Sequence, residues 1–286
     1  MGEREERGVS RRAVVGAACG ALAAIAGAGW LVEEDVLPGR SRAYELLGLN
    51  GDGAPMPDVA PGRRVDGAFV SQARGGVEVG WSVSYPPGAR PGAGMPVVLM
   101  LHGANGDHTT AFTSLGADRF QAMLTGDGVP PFAIAAADGG NGYWRPQPDG
   151  SDSSAMLVEE FLPLLGRRGL DTARVSACGW SMGGYGALRL AGEKLLPLRA
   201  VAVMSPALNP GDGVLDHPER LAGVPLRIDC GRGDPFYPHV HDFVDALDPA
   251  PESSFGAGGH DAEYWRTVVP AQLRFLADHL HSHSTT

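Results

Sequence analysis

Residues 178–184 read CGWSMGG, and Ser181 stands between Gly179 and Gly183. Two different patterns meet there. ARVSACGW (173–180) reads as a buried strand. GGYGALRLAG, which follows, reads as a helix of small residues. To pass from strand to helix within one or two residues the backbone must bend sharply. Side chains two positions either side of the serine would then collide, which accounts for the two glycines. The alternative is a flexible glycine turn carrying an ordinary serine. G-x-S-x-G alone is a weak motif, but between a buried strand and a helix it predicts a nucleophile elbow, with Ser181 Oγ presented at a strand's carboxyl end.

The rest of the chain repeats the strand–helix alternation. VDGAFVSQ and VEVGWSVSYPP alternate with period two about Gly75-Gly76 and predict an antiparallel hairpin. PVVLMLHG (96–103), FAIAAAD (132–138), RAVAVMSPA (199–207) and PLRIDCG (225–231) predict buried strands. TSLGADRFQAML, SSAMLVEEFLPLL (153–165), PFYPHVHDFVDAL and AEYWRTVVPAQLRFLADHL predict helices. This order implies an α/β fold, a mostly parallel twisted sheet with helices on both faces. Only about 17 residues separate RAVAVMSPA from PLRIDCG, too few for a large cap domain. Where these strands lie side by side in chain order, Cys178 and Cys230 fall on strands separated by one other, about 9.6 Å apart and beyond the reach of a disulfide.

A serine hydroxyl needs a base, and the base needs an orienting acid. In this fold the acid and then the histidine follow the serine along the chain. Asp234, in GRGDPF after PLRIDCG, lies where a strand end opens into a loop; its other role would be to cap the next helix. Asp212 and Asp216 are its rivals, and Asp229 falls inside the strand. His260, in FGAGGHDAEYW, is the candidate base. His102 and His108 precede the serine. His239 and His241, two positions apart on a helix, face different ways and make a poor ligand pair. The backbone N–H of Met182 and that of Ala104, with Asn105 as its alternative, are the candidate oxyanion donors. Tyr143 and Trp144, in GNGYWRPQPDGSD, are candidates for a substrate-binding wall. The chain has no H-E-x-x-H, no phosphate loop and no G-x-G-x-x-G after a strand, so neither metal nor cofactor is expected.

LMLHGANGDH, FLPLLGRRGLDTARVSACGWSMGGYGALRLA, CGRGDPF and GGHDAEYWR together resemble the esterase D-like branch of the α/β-hydrolases, which also holds mycolyltransferases and feruloyl esterases. The resemblance spans roughly residues 65–280. It implies Ser181, Asp234 and His260 as a triad, with Ala104 and Met182 as oxyanion donors. The mycolyltransferase members usually carry Glu as the acid and a different oxyanion loop, so the chain departs from them at both places. The expected function is carboxylic-ester hydrolysis through an acyl-enzyme on a small-molecule or carbohydrate-linked ester. The alternatives are acyl transfer to a sugar or other alcohol, and a binding protein on a hydrolase scaffold.

The N-terminus has a different character. Ser10-Arg11-Arg12 precedes AVVGAACGALAAIAGAGWLV, about 20 uncharged residues, and resembles a twin-arginine export signal. Residues 1–28 are expected to be an export signal or anchor, with Ala26-Gly27-Ala28 as a cleavage site. Uncleaved, residues 13–32 are long enough to anchor the chain in a membrane. Residues 29–64 are expected to be an irregular linker, and 65–286 the catalytic domain. The net charge of −10, with no basic stripe beyond residue 12, argues against nucleic acid as a partner.

Overall fold

A computed structural model describes residues 39–282. The expected signal (1–28), its paired arginines and the candidate anchor (13–32) lie outside the described residues. Among the described residues no helix is long and apolar enough to cross a membrane.

The strands form one eight-stranded sheet in the order β1-β2-β4-β3-β5-β6-β7-β8. β1 (Arg64–Ser71) and β2 (Val77–Ser84) make the expected hairpin, and β2 runs antiparallel to β4 (Ala133–Ala137). β3 (Pro96–Leu101), β5 (Asp171–Trp180), β6 (Leu198–Met204), β7 (Leu226–Asp229) and β8 (Glu252–Ser254) continue in parallel. Every residue of β3 and β4 is buried, which explains why they read as continuous apolar runs rather than alternating ones.

Helices cover both faces. A first helix, α1, spans Arg40–Leu46. α2 (Thr110–Thr113) leads to α3 (Ala117–Gly126), which packs with the C-terminal α7 (Ala262–His281) on the face presenting Val98, Met100, Cys178 and Ala202. The opposite face presents Val97, Leu99, Leu101 and Ala177. It carries α4, which runs from Ser153–Ala155 through a π-helical stretch, Met156–Phe161, to Leu162–Arg167. α5 (Met182–Gly192) and α6 (Tyr237–Ala246) lie on that face as well. Each fully buried Leu, Phe or Met of these cores contributes about 1.5–3 kcal/mol. Between β6 and β7, residues 205–225 carry one short 3-10 turn, Pro218–Leu221, so no cap domain covers the sheet here. Cys178 and Cys230 are both free and buried.

The chain differs from the sequence expectation at its described N-terminus. Residues 39–63 include α1, and both Arg40 and Tyr44 on it are buried. Its inward face is a cation and an aromatic ring rather than an apolar stripe, so hydrophobic periodicity gives no sign of it.

Candidate active site

The elbow follows from crowding. Ser181 has φ 53° and ψ −125°, a conformation that costs a non-glycine residue about 1–3 kcal/mol and persists only where its surroundings enforce it. The enforcement is visible on both sides. A side chain at Gly179 would run into the backbone of Gly183, and one at Gly183 into the carbonyl of Leu101 on β3. The Ser181 N–H donates to the Met204 carbonyl on β6 at 3.0 Å, and the Ser181 carbonyl accepts from Tyr185 and Ala207. Glycine is there because nothing larger fits, which rules out the flexible-turn alternative.

Three strand ends converge on this point. Asp234 follows β7 and His260 follows β8. His260 Nδ1 lies 2.7 Å from Asp234 Oδ2, and His260 Nε2 lies 2.9 Å from Ser181 Oγ. A carboxylate only accepts, so Nδ1 carries the proton and Nε2 accepts from the serine. Asp234 is fully buried, and its other oxygen accepts from the Phe236 N–H at 2.8 Å. Asp234 does not cap α6, whose N-cap is Phe236; one of its oxygens orders the turn before the helix and the other meets the imidazole. The ring of His260 is held between Phe236 and Trp265, at 5.2 and 5.1 Å between centroids.

Met182 opens α5, so its N–H has no acceptor within the helix. Among the described residues, neither it nor the Ala104 N–H donates to another backbone group. The Asn105 N–H, the alternative donor, is committed to Asn141 Oδ1 at 2.7 Å, and Asn141 Nδ2 returns a bond to Asn105 Oδ1 at 3.2 Å. This pair fixes the loop that carries Ala104. His102 lies beneath it. Burial pushes its pKa down, and its Nε2 accepts from the Gly139 N–H at 2.9 Å, so it sits as a neutral core histidine.

A cleft of about 360 Å³ opens beside Ser181 and His260. Its walls include Ala104, Asn105, Thr110, Leu115, Trp180 and Trp265. The aromatic wall is thus not the expected one. Trp144 is only 1% exposed; its Nε1 donates to the His102 carbonyl at 3.1 Å and its ring fills the space left by Gly139 and Gly186. Tyr143 packs on Tyr185 at 5.7 Å and does not line this cleft. Both residues have positive φ, and that turn carries the Trp144 ring inward instead of toward the mouth. Sequence reading assigned no role to Trp180 and Trp265. Their signal was position alone, one next to the serine and the other five residues past the histidine.

His239 and His241 diverge as expected. One bonds the Leu208 carbonyl, and the other packs on Tyr237 and Phe255. Among the described residues, no group of three or more His, Cys, Asp or Glu side chains is placed to hold a metal ion.

The fold is that of the α/β-hydrolases. A ferulic acid esterase superposes with a TM-score of 0.68 at 20% identity, covering 76% of this chain and 98% of its own. FphF, a fluorophosphonate-binding serine hydrolase of Staphylococcus aureus, superposes with a TM-score of 0.63 at 19% identity, covering 76% and 99%. An S-formylglutathione hydrolase from Agrobacterium tumefaciens gives 0.62 at 18% identity, covering 80% and 100%. At these identities the likeness is one of fold. No curated protein matches the chain significantly. Residues 73–225 match the family described as "Putative esterase", and the chain belongs to that family. The matched span holds Ala104, Ser181 and Met182 and ends before Asp234 and His260.

Proposed function

We propose that the protein is a serine carboxylic-ester hydrolase in which Ser181 is the nucleophile, His260 the base and Asp234 the orienting acid. The observation that carries this reading is the continuous contact Ser181 Oγ–His260 Nε2–Asp234 at 2.9 and 2.7 Å. Ser181 Oγ attacks the ester carbonyl carbon while its proton passes to His260 Nε2. The negative charge that develops on the carbonyl oxygen is received by the N–H groups of Ala104 and Met182. As the carbonyl re-forms, the alcohol leaves with the proton held by His260, and the acyl group stays on Ser181. Water, deprotonated by His260, then attacks the acyl-enzyme and frees the acid and the serine. Asp234 holds Nδ1–H throughout and stabilises the imidazolium.

A panel of nitrophenyl esters of increasing acyl length tests the reading, with Ser181→Ala as its control. Turnover by the wild type and none by Ser181→Ala is the expected result. Equal turnover by both would overturn it.

The same three residues would also carry a second reading, transfer of the acyl group to a sugar or other alcohol in place of water. Added alcohol would then raise nitrophenol release and yield a new ester. Release unaffected by alcohols, with free acid as the sole product, would leave hydrolysis alone.

We further propose export through the paired arginines 11 and 12. Replacing both by lysine should retain the protein in the cytoplasm, and unchanged secretion of that variant would refute this.

A further inference from the structure

The stretch expected to be a linker touches the acid side of the site, then the base side, then the cleft wall, in chain order. The Arg40 Nε donates to the Arg232 carbonyl at 2.6 Å, two residues before Asp234. Its guanidinium lies 4.3 Å over the Tyr237 ring and 5.2 Å over that of Tyr44, and the side chain is 95% buried. Tyr44 and Asn50 press on Gly233 so closely that a side chain there would strike both. The amide of Asn50 also faces Gly259, the residue before His260. The Ala54 N–H donates to the Glu263 carbonyl at 3.2 Å. Arg266 then ties the Ala54 carbonyl (2.6 Å) to that of Ser114 (3.0 Å), on the cleft wall.

What this segment covers is a pair of glycine-rich loops at the sheet edge. The acid loop and the base loop are zipped by three backbone bonds: Cys230 N–H to Ser254 O, Arg232 N–H to Gly256 O and Gly233 N–H to Gly258 O. The ladder continues β8, the exposed edge strand of the sheet. Five of its residues are glycines: 231, 233, 256, 258 and 259. Glycine backbone has the most freedom to lose, so a glycine ladder on an open edge needs an outside restraint to hold a fixed geometry.

We propose that residues 40–54 are a brace that sets the Asp234–His260 geometry, with Arg40 as its positioning residue. Arg40 touches neither substrate nor reacting atoms; it acts through the Arg232 carbonyl on the loop that carries Asp234. The proposal rests on the reading of Asp234 and His260 given above. The competing account is that the brace only adds stability to the sheet edge.

The test uses the full chain with Arg40→Met, which keeps length and burial but removes the donor and the charge. Arg40→Lys keeps a donor and a charge. Asn50→Ala is a milder variant should Arg40→Met not fold. Nitrophenyl acetate kinetics, thermal unfolding and hydrogen exchange over residues 230–236 and 254–260 are measured on each. Arg40→Met should lower kcat by about tenfold with KM within about twofold, since small misplacements of reacting groups act on the chemical step. Exchange should rise in those two segments and not in β3 or β5. Arg40→Lys should recover most of the loss, and Asn50→Ala should move the same readouts less. Unchanged kcat and exchange in Arg40→Met, or activity falling only with the folded fraction, would overturn the brace. If the wild type turns over no ester while exchange still rises locally, the brace stands and the esterase reading fails.

Discussion

Ser181 is held by backbone, its own elbow's and that of the strands beside it, whereas Asp234 and His260 lie on loops that also rest on side chains of the N-terminal segment. At the elbow, residues 179–184 and the adjoining backbones of β3 and β6 leave one conformation open. On the other side, two glycine-rich loops are joined at a sheet edge and covered by a helix whose contact to Arg232 spans 192 positions. One half is packed against strand backbone, and the other rests in addition on the side chains of Arg40, Tyr44 and Asn50. Crowding against fixed backbone tolerates no added atom. A long-range brace can be loosened by degrees, so the acid–base half should carry most of the site's adjustable geometry.

The largest effect tests whether the halves work as one device. His260→Ala should lower kcat on a nitrophenyl ester by about 10⁴–10⁶, and Asp234→Asn by about 10⁴. Combining either with Ser181→Ala should cost little beyond the worse single change, because the three groups act as a unit. Additive losses would mean that the halves contribute separately. Next in size is a contrast in folding stability. Gly179→Val meets fixed backbone and should lose about 3 kcal/mol or more in denaturant titration. Gly233→Ala meets the tip of the Asn50 side chain, which can yield, and the Tyr44 Cβ, which yields less, and should lose about 2 kcal/mol. Equal losses would break the comparison. The smallest effect is kinetic. Burial pushes the Cys178 thiol up to about 12 and that of Cys230 well above its ordinary value, so neither should react with iodoacetamide at neutral pH until the chain opens. Cys230 lies in the braced half, and its alkylation should outpace that of Cys178 by about threefold or more if that half opens first. Identical rates would place both thiols in one opening unit.

The same contrast governs what could be read from the sequence. β3 and β4 were legible because burial on both faces writes an uninterrupted apolar run. The elbow was legible because one of its clashes, Gly179 against Gly183, falls within five residues, although Gly183 also meets Leu101 on β3. Asp234 and His260 could be named through chain order and the position of loops after strands, which the fold dictates. The Trp144 wall was misplaced, since nothing in GNGYWRPQ announces two successive residues of positive φ that turn the ring inward. Trp180 and Trp265 were passed over because a tryptophan beside a site and one in a core look alike in sequence. α1 was missed because Arg40 and Tyr44 are buried through cation–ring contacts and hydrogen bonds, a pattern without periodicity.

The bare connection between β6 and β7 has a consequence for how this scaffold can change. Gly211 and Gly213 lie on it with open space around them, and the segment bears none of the three relay residues. Lengthening such a loop costs only about 0.6 kcal/mol for each doubling of its length. Residues 209–217 are therefore a natural graft point. An insertion there would leave the cleft beside Ser181 as it is, since none of the residues that line that cleft comes from this connection.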